Sequence, residues 1–260
     1  MRKYLTFGLA AALALALAAV ALGQVAPQSN TYTVDGSVTP TKSGTSSRPA
    51  PVRVRFDFQV GETNNLRPSV VRKYSIAFDG LRVNTNAFPK CSNSVINTAK
   101  SIESCPSGST VGTGFIVNAT GSSTNTADKS VPCNASVTVV NGGDNKATLF
   151  IKGDPASTNP ATRCAIELAT GIQARFIRGA RGVALEFEVP PNLRHPVPGL
   201  DNAVQRVTST IRRLTRVRNG KRLGYFETIG GCRNRRRAIT VTFTPEVGST
   251  ARGQKFVTCS

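Results

Sequence analysis

One histidine and two neighbouring glutamates are the residues of this sequence best suited to catalysis. His195 is the only histidine, so any Ser/His/Asp or Cys/His mechanism would have to use it, and it lies in a proline-rich loop. Glu186 and Glu188 are two residues apart on a predicted strand, which places both side chains on one face, roughly 6–7 Å apart. Paired carboxylates of this kind occur in glycoside hydrolases, but two acids on the solvated face of a strand have the same spacing.

Other signals of enzymatic chemistry are missing from the sequence. It has no G-x-S-x-G motif and no tryptophan, and tryptophan is common in sugar-binding sites. A zinc site needs C-x-x-C pairs or Cys/His clusters, and neither occurs. We therefore expect a protein that is not an enzyme and that holds no metal or cofactor. A carbohydrate-active enzyme that uses Glu186 or Glu188 is the alternative.

The strongest chemical signal is positive charge, since the chain carries a formal net charge of +19. Between residues 206 and 237 there are eleven lysines or arginines and a single acid, Glu227. Arginine clusters bind anions through charge and paired hydrogen bonds, with an affinity that falls as salt rises. The candidate anion-binding residues are Arg212, Arg213, Arg216, Arg218, Lys221, Arg222, Arg233, Arg235, Arg236 and Arg237.

The expected partners of this basic segment are anionic cell-wall polymers or acidic polysaccharides. No RNP-type motif or basic strand with interleaved aromatic residues is present, so we do not expect specific nucleic-acid recognition. If the hairpin predicted around Asn219-Gly220 forms, Arg212, Arg216 and Arg218 share one face of its first strand. The competing interpretation is compositional, because arginine outnumbers lysine 23 to 10, as is usual for a GC-rich genome.

The first residues have the pattern of an export signal. A positive start is followed by an apolar run to Leu22 and by small residues before Gln24, which predicts a secretory signal peptide at residues 1–23. A retained membrane anchor is the alternative. No later apolar run is long enough to cross a membrane. Residues 24–260 are expected to form one secreted domain, and the polar stretch 119–130 is the best place for any internal boundary.

Short alternating strands and turn signals predict an all-β fold, a jelly-roll-like β-sandwich with one short helix near residues 93–102. The clearest strand is 52–60, with apolar residues at even positions. Six cysteines behind a signal peptide predict three disulfides, although spacing alone allows 15 pairings. Two cysteine pairs bracket predicted hairpins and one brackets the helix, which favours Cys91–Cys105, Cys133–Cys164 and Cys232–Cys259.

The segments Phe88-Pro89-Lys90-Cys91-Ser92 and Cys105-Pro106-Ser107-Gly108-Ser109-Thr110-Val111-Gly112-Thr113-Gly114 make the chain similar to a known group. It resembles uncharacterised secreted β proteins of actinobacteria. These carry P-x-C-S and C-P-x-G-S-x-V-G-x-G motifs and a C-terminal hairpin between two cysteines. The arginine-rich run after Cys232 departs from that pattern. The resemblance implies secretion and a β fold, and it implies no particular activity. Together these features predict an exported, non-enzymatic protein of the cell envelope.

Overall fold

The computed structural model describes residues 29–260, so the predicted signal peptide lies outside the described residues. Strands dominate this part of the chain, which confirms the all-β prediction. They are β1 (Asn30–Thr39), β2 (Ala50–Glu62), β3 (Val71–Asp79), β4 (Leu81–Val83), β5 (Thr110–Ser122), β6 (Ala135–Gly143), β7 (Lys146–Gly153), β8 (Leu168–Gly179), β9 (Gly182–Glu188), β10 (Leu200–Ile211), β11 (Thr215–Arg218), β12 (Lys221–Gly224), β13 (Phe226–Thr228), β14 (Arg236–Pro245) and β15 (Ala251–Thr258). The helical segments are α1 (Asn93–Ala99), α2 (Pro191–Arg194) and a 3-10 turn at Thr85–Ala87.

Thirteen strands form one antiparallel sheet that curls over until its two halves face each other. Its order is β15-β14-β3-β9-β8-β7-β6-β5-β10-β2-β13-β4, with β1 paired to β2. Phe58 of β2 packs on Tyr74 of β3 and on Phe243 of β14, with ring centroids 5.3 and 5.4 Å away. The aromatic rings thus join the two layers of a sandwich-like fold.

Strand β2 shows how the sequence builds this core. Its apolar residues at even positions from 52 to 60 are buried, whereas Arg53, Arg55 and Gln59 are exposed, as the alternation predicts. Asp57 is the exception, because it is buried on the polar face. It accepts hydrogen bonds from Arg206 Nε (3.1 Å) and Nη2 (2.6 Å) on β10, which compensates the buried charge.

All three predicted disulfides are present, and no described cysteine is free. The first closes the segment that holds α1. Ser92 caps this helix, since its Oγ accepts from Val95 N at 3.3 Å. The helix ends at Ala99, earlier than predicted, because Lys100 adopts a left-handed conformation with φ of 50°.

The hairpin predicted around Asn219-Gly220, with Arg212 on its first strand, is wrong in its details. β10 ends at Ile211 and the chain then turns, with Leu214 N donating to Arg212 O at 2.9 Å. β11 and β12 form a separate two-stranded hairpin. Tyr225, fully buried, turns the chain inward, and β13 then pairs with β2 and β4. Burial of this aromatic side chain therefore ends the hairpin at Gly224, although the sequence pattern predicted that it would continue.

Two further differences concern local structure. A second helix, α2, follows Pro190, where only a loop was expected. The polar stretch 119–130 begins inside β5, and strands on both sides of it belong to the same sheet.

Among the described residues, no helix has the length and apolar character needed to span a bilayer.

Candidate anion-binding cleft

Three loops meet at one end of the sandwich, although they are far apart in sequence. They are the β3–β4 corner at Gly80, the β8–β9 turn at 179–182, and the segment 229–236. Gly80 N donates to Arg181 O at 2.6 Å, and Ile229 N donates to Gly80 O at 2.8 Å. Gly80 has φ of +69°, and a Cβ there would lie 2.1 Å from Gly230 O, so only glycine allows this approach.

The loops enclose a cleft of about 1050 Å³ with a strongly basic lining. Among the described residues that line it, Asp79 is the only acid, against six arginines. These arginines are Arg82, Arg178, Arg181, Arg233, Arg236 and Arg237. Because one acid cannot balance six cations, the cleft has a large positive potential and favours anions.

Two of the six arginines already have carboxylate partners. Arg82 Nη2 lies 2.8 Å from Glu227 Oε2, and Glu227 is fully buried. Arg181 Nε lies 3.7 Å from Asp79 Oδ1, in an exposed and therefore weak pair. The pair with Glu227 therefore fixes Arg82 in the wall of the cleft. The other four arginines have no carboxylate partner among the described residues.

Three of the remaining arginines are free to meet a ligand. Within residues 29–260, no side-chain hydrogen bond or ion pair holds the guanidinium of Arg178, Arg233 or Arg236. Arg233 and Arg236 are placed by the backbone, because Arg233 N donates to Arg236 O (3.0 Å) and Arg236 N donates to Arg233 O (2.9 Å). The disulfide from Cys232 to Cys259 anchors this turn to the end of β15.

Arg237 differs from the others because it is only 2% exposed. It occupies an inward position of β14, two residues before Ile239, which is fully buried. Its Nη2 donates to Ser43 Oγ at 2.5 Å, but its buried Nε and Nη1 have no partner in the described part of the chain. Burial lowers the pKa of this guanidinium, which reflects the cost of an uncompensated charge.

The predicted basic residues of the hairpin lie elsewhere. Arg213 Nε donates to Pro51 O at 3.0 Å, and Arg218 Nη1 donates to Asn86 O at 3.0 Å. Arg216 Nη1 reaches Ala87 O at 3.4 Å, and Arg212 Nη2 donates to Thr110 O. No residue of β11 or β12 lines the cleft. These arginines fasten the hairpin to the body of the protein.

The predicted basic segment is thus divided into two regions. Arg233, Arg236 and Arg237 line the cleft, and Arg235, in a left-handed conformation at the exposed tip of its turn, does not. The hairpin carries Arg216, Arg218, Lys221 and Arg222, and Arg212 and Arg213 precede it. Arg216 and Arg218 do share a face of β11, but the placement of Arg212 on the same strand is wrong, because β10 ends before it.

Sequence reasoning missed half of the arginines in the cleft. Arg82, Arg178 and Arg181 stand outside the basic segment and come from other strands and turns. The available signal was glycine: Gly80, Gly182 and Gly231 lie in these loops, and each marks a place where backbones approach closely.

Two of the three residues considered for catalysis, Glu186 and His195, are engaged in other contacts. Glu186 Oε2 lies 3.3 Å from Lys73 Nζ and its Oε1 accepts from Ser75 Oγ, so it pairs across the β3–β9 ladder. Glu188 is exposed on the same strand. His195 Nδ1 lies 2.9 Å from Asp201 Oδ1, and its Nε2 lies 3.0 Å from Glu246 Oε2, a bridge that the sequence did not reveal.

Across residues 29–260, no group of three or more histidine, cysteine or acidic side chains is arranged to hold a metal ion. The chain was compared with protein-family models, curated proteins and solved structures, and it matches none of them.

Proposed function

We propose that this protein is exported and binds an anionic polymer of the cell envelope in the arginine cleft, without catalysing a reaction. The observation that carries the proposal is the state of Arg237: a buried cation with two unpartnered nitrogens, beside three arginines that hold nothing else. A buried charge without a partner destabilises a fold by several kcal/mol. An anion in the cleft would offset that cost.

Coulomb's law supports a charged ligand at this site. A unit charge 4 Å from another contributes about 4 kcal/mol at the effective dielectric constant of a protein surface. Several arginines around one groove would therefore bind a chain of carboxylates or phosphates more tightly than a single anion. Arginine is also the side chain whose planar fork fits both groups.

Export is supported by the amino-terminal pattern and by the disulfides. Three disulfides in one chain are characteristic of oxidising compartments outside the cytoplasm. The resemblance to secreted actinobacterial β proteins agrees with this location. A non-enzymatic role is favoured because Glu186, the better placed of the two glutamates, is paired with Lys73 on a strand face and does not line the cleft.

The test is retention of the oxidised protein on purified cell wall across a salt series. Walls stripped of phosphate-containing polymers and walls stripped of acidic polysaccharide would form separate arms. We expect strong retention at about 50 mM salt that falls steeply by about 200 mM, the behaviour of polyelectrolyte binding. Absence of retention at low salt on every wall preparation would contradict the proposal.

A further inference from the structure

A second cavity lies inside the sandwich and shares no lining residue with the arginine cleft. Its volume is about 80 Å³. The wall is formed mainly by apolar side chains that project inward from β2, β3 and β5 to β10, among them Phe58, Ile151, Ile172 and Leu185. An apolar void of this kind stays dry unless polar groups hold water in it.

Two buried polar atoms of residues in this wall have no hydrogen-bond partner among the described residues. They are Tyr74 Oη and Asn118 Oδ1. Burial raises the pKa of the Tyr74 phenol, so its hydroxyl stays protonated and can donate. Asn118 uses its Nδ2 on Cys133 O at 2.5 Å, which leaves Oδ1 as an acceptor. Unsatisfied atoms of this kind destabilise a core, so they mark a place for polar groups of another molecule.

Charge in the wall is already neutralised. Arg194 is the only charged residue in the described part of the chain that lines the cavity. It forms an ion pair with Glu246, and its Nε donates to Val189 O at 2.9 Å. Since this cation is satisfied, the cavity favours an uncharged molecule.

Part of the wall is fastened by side chains. Leu193 and Arg194 belong to the short helix α2, outside the sheet. Asn202 Nδ2 donates to Leu193 O at 2.8 Å, and His195 bridges Asp201 and Glu246. These contacts close the wall of the cavity on the side of α2.

We infer that this cavity binds a small, neutral, mainly apolar molecule that carries a hydroxyl group. A hydroxyl can accept a hydrogen bond from Tyr74 Oη or donate one to Asn118 Oδ1. Its apolar body would contact the surrounding valine, isoleucine and phenylalanine side chains. A cavity of about 150 Å³ holds benzene, so this one accommodates roughly three or four non-hydrogen atoms, the size of a short-chain alcohol.

The experiment compares propan-1-ol with xenon, which fills a void but makes no hydrogen bond. Methyl NMR of the oxidised protein would follow Ile151, Ile172 and Leu185 during titration with each probe. We expect saturable shifts of these methyl groups with both. In the Tyr74→Phe variant, the affinity for propan-1-ol should fall about threefold to tenfold, the effect of one hydrogen bond, while xenon binding stays unchanged.

A second variant keeps the test valid if Tyr74→Phe alters folding. Val137→Ile with Val139→Ile adds one methyl group at each of two lining positions and should weaken both probes together. Shifts that do not saturate, or equal propan-1-ol affinity in Tyr74→Phe and the parent protein, would overturn the inference. Water that stays bound to Tyr74 and Asn118 and is not displaced by the alcohol would overturn it as well. Retention on cell wall is measured separately, so the two proposals fail independently.

Discussion

The hairpin formed by β11 and β12 and the arginine cleft both belong to the most basic stretch of the sequence, and the fold uses their arginines differently. At the hairpin, the guanidinium groups of Arg213, Arg216 and Arg218 donate to backbone carbonyls of other segments. In the cleft, those of Arg178, Arg233 and Arg236 donate to no described residue. Charge density in the sequence therefore does not distinguish these two sets of arginines, whereas the presence or absence of an internal hydrogen-bond acceptor does.

Glu227 joins the two regions, and its removal should have the largest effect. It accepts from Gly224 N of the hairpin and Asn84 Nδ2, both at 2.8 Å, and pairs with Arg82 of the cleft. Breaking a buried ion pair from one side costs roughly 3–5 kcal/mol. We expect Glu227→Ala to lose that much free energy of unfolding in urea denaturation. Glu167→Ala, at an exposed acid, should change it by less than about 0.5 kcal/mol.

The disulfide between Cys232 and Cys259 anchors the cleft turn. Closing a loop of this length is worth about 3–4 kcal/mol by chain entropy. Replacing both cysteines by serine should lower stability by that amount and also weaken retention on cell wall. The control is Cys133→Ser with Cys164→Ser, which should cost similar stability and leave retention intact at temperatures where both variants are folded. Equal retention by the two variants would show that the turn does not need its anchor.

Stability should also distinguish the two sets of arginines. We define the hairpin variant as Arg213→Gln, Arg216→Gln and Arg218→Gln, and the cleft variant as Arg178→Gln, Arg233→Gln and Arg236→Gln. The hairpin variant loses three hydrogen bonds on the surface, each worth up to about 1 kcal/mol, and should be destabilised by about 1–3 kcal/mol. The cleft variant should be unchanged or slightly more stable, because like charges are removed. Calorimetry measures both, and a destabilised cleft variant would show an internal role for these arginines.

The smallest expected effect is on the pH dependence of the melting temperature in acid. Carboxylates are protonated there, whereas carbonyl acceptors do not change. Hydrogen bonds from Ser122 N and Ser130 N hold the pKa of Asp128 at about 2, below its ordinary value of 3.8. Its stabilising contribution is complete above about pH 4 and is lost as the pH falls through about 2. Asp128→Asn should flatten the fall of melting temperature over this range. The hairpin variant should keep the slope of the parent protein, since its lost acceptors are carbonyls.

Local patterns were sufficient for β2 and for the disulfides. The alternation of residues 52–60 predicted the buried face of β2, and cysteines that flank hairpins and the helix predicted all three pairings. The prediction of one long hairpin near Asn219 was wrong, because burial of Tyr225 breaks it. Periodicity reports which face of a strand is apolar, but it does not report where a buried ring will turn the chain.

The cleft could be predicted only in part. Arg233, Arg236 and Arg237 were identified by charge density, which says nothing about what they contact. Arg82 and Arg178 reach the same cleft through the sheet topology, since β4 and β8 are distant in sequence from β14. The unpartnered nitrogens of Arg237 could not be predicted either. They result from its inward position on β14, and that position depends on the register of β14 with β3 and β15.

The most direct test of the arginine cleft is the affinity of the cleft and hairpin variants for one anionic wall polymer, measured by titration at several salt concentrations. Both variants lose three positive charges, so any effect of net charge is matched. We expect the cleft variant to bind at least tenfold more weakly than the parent at low salt, with a shallower dependence of affinity on salt. The hairpin variant should stay within about threefold of the parent. Equal losses in the two variants would contradict a defined site and would favour binding by diffuse charge.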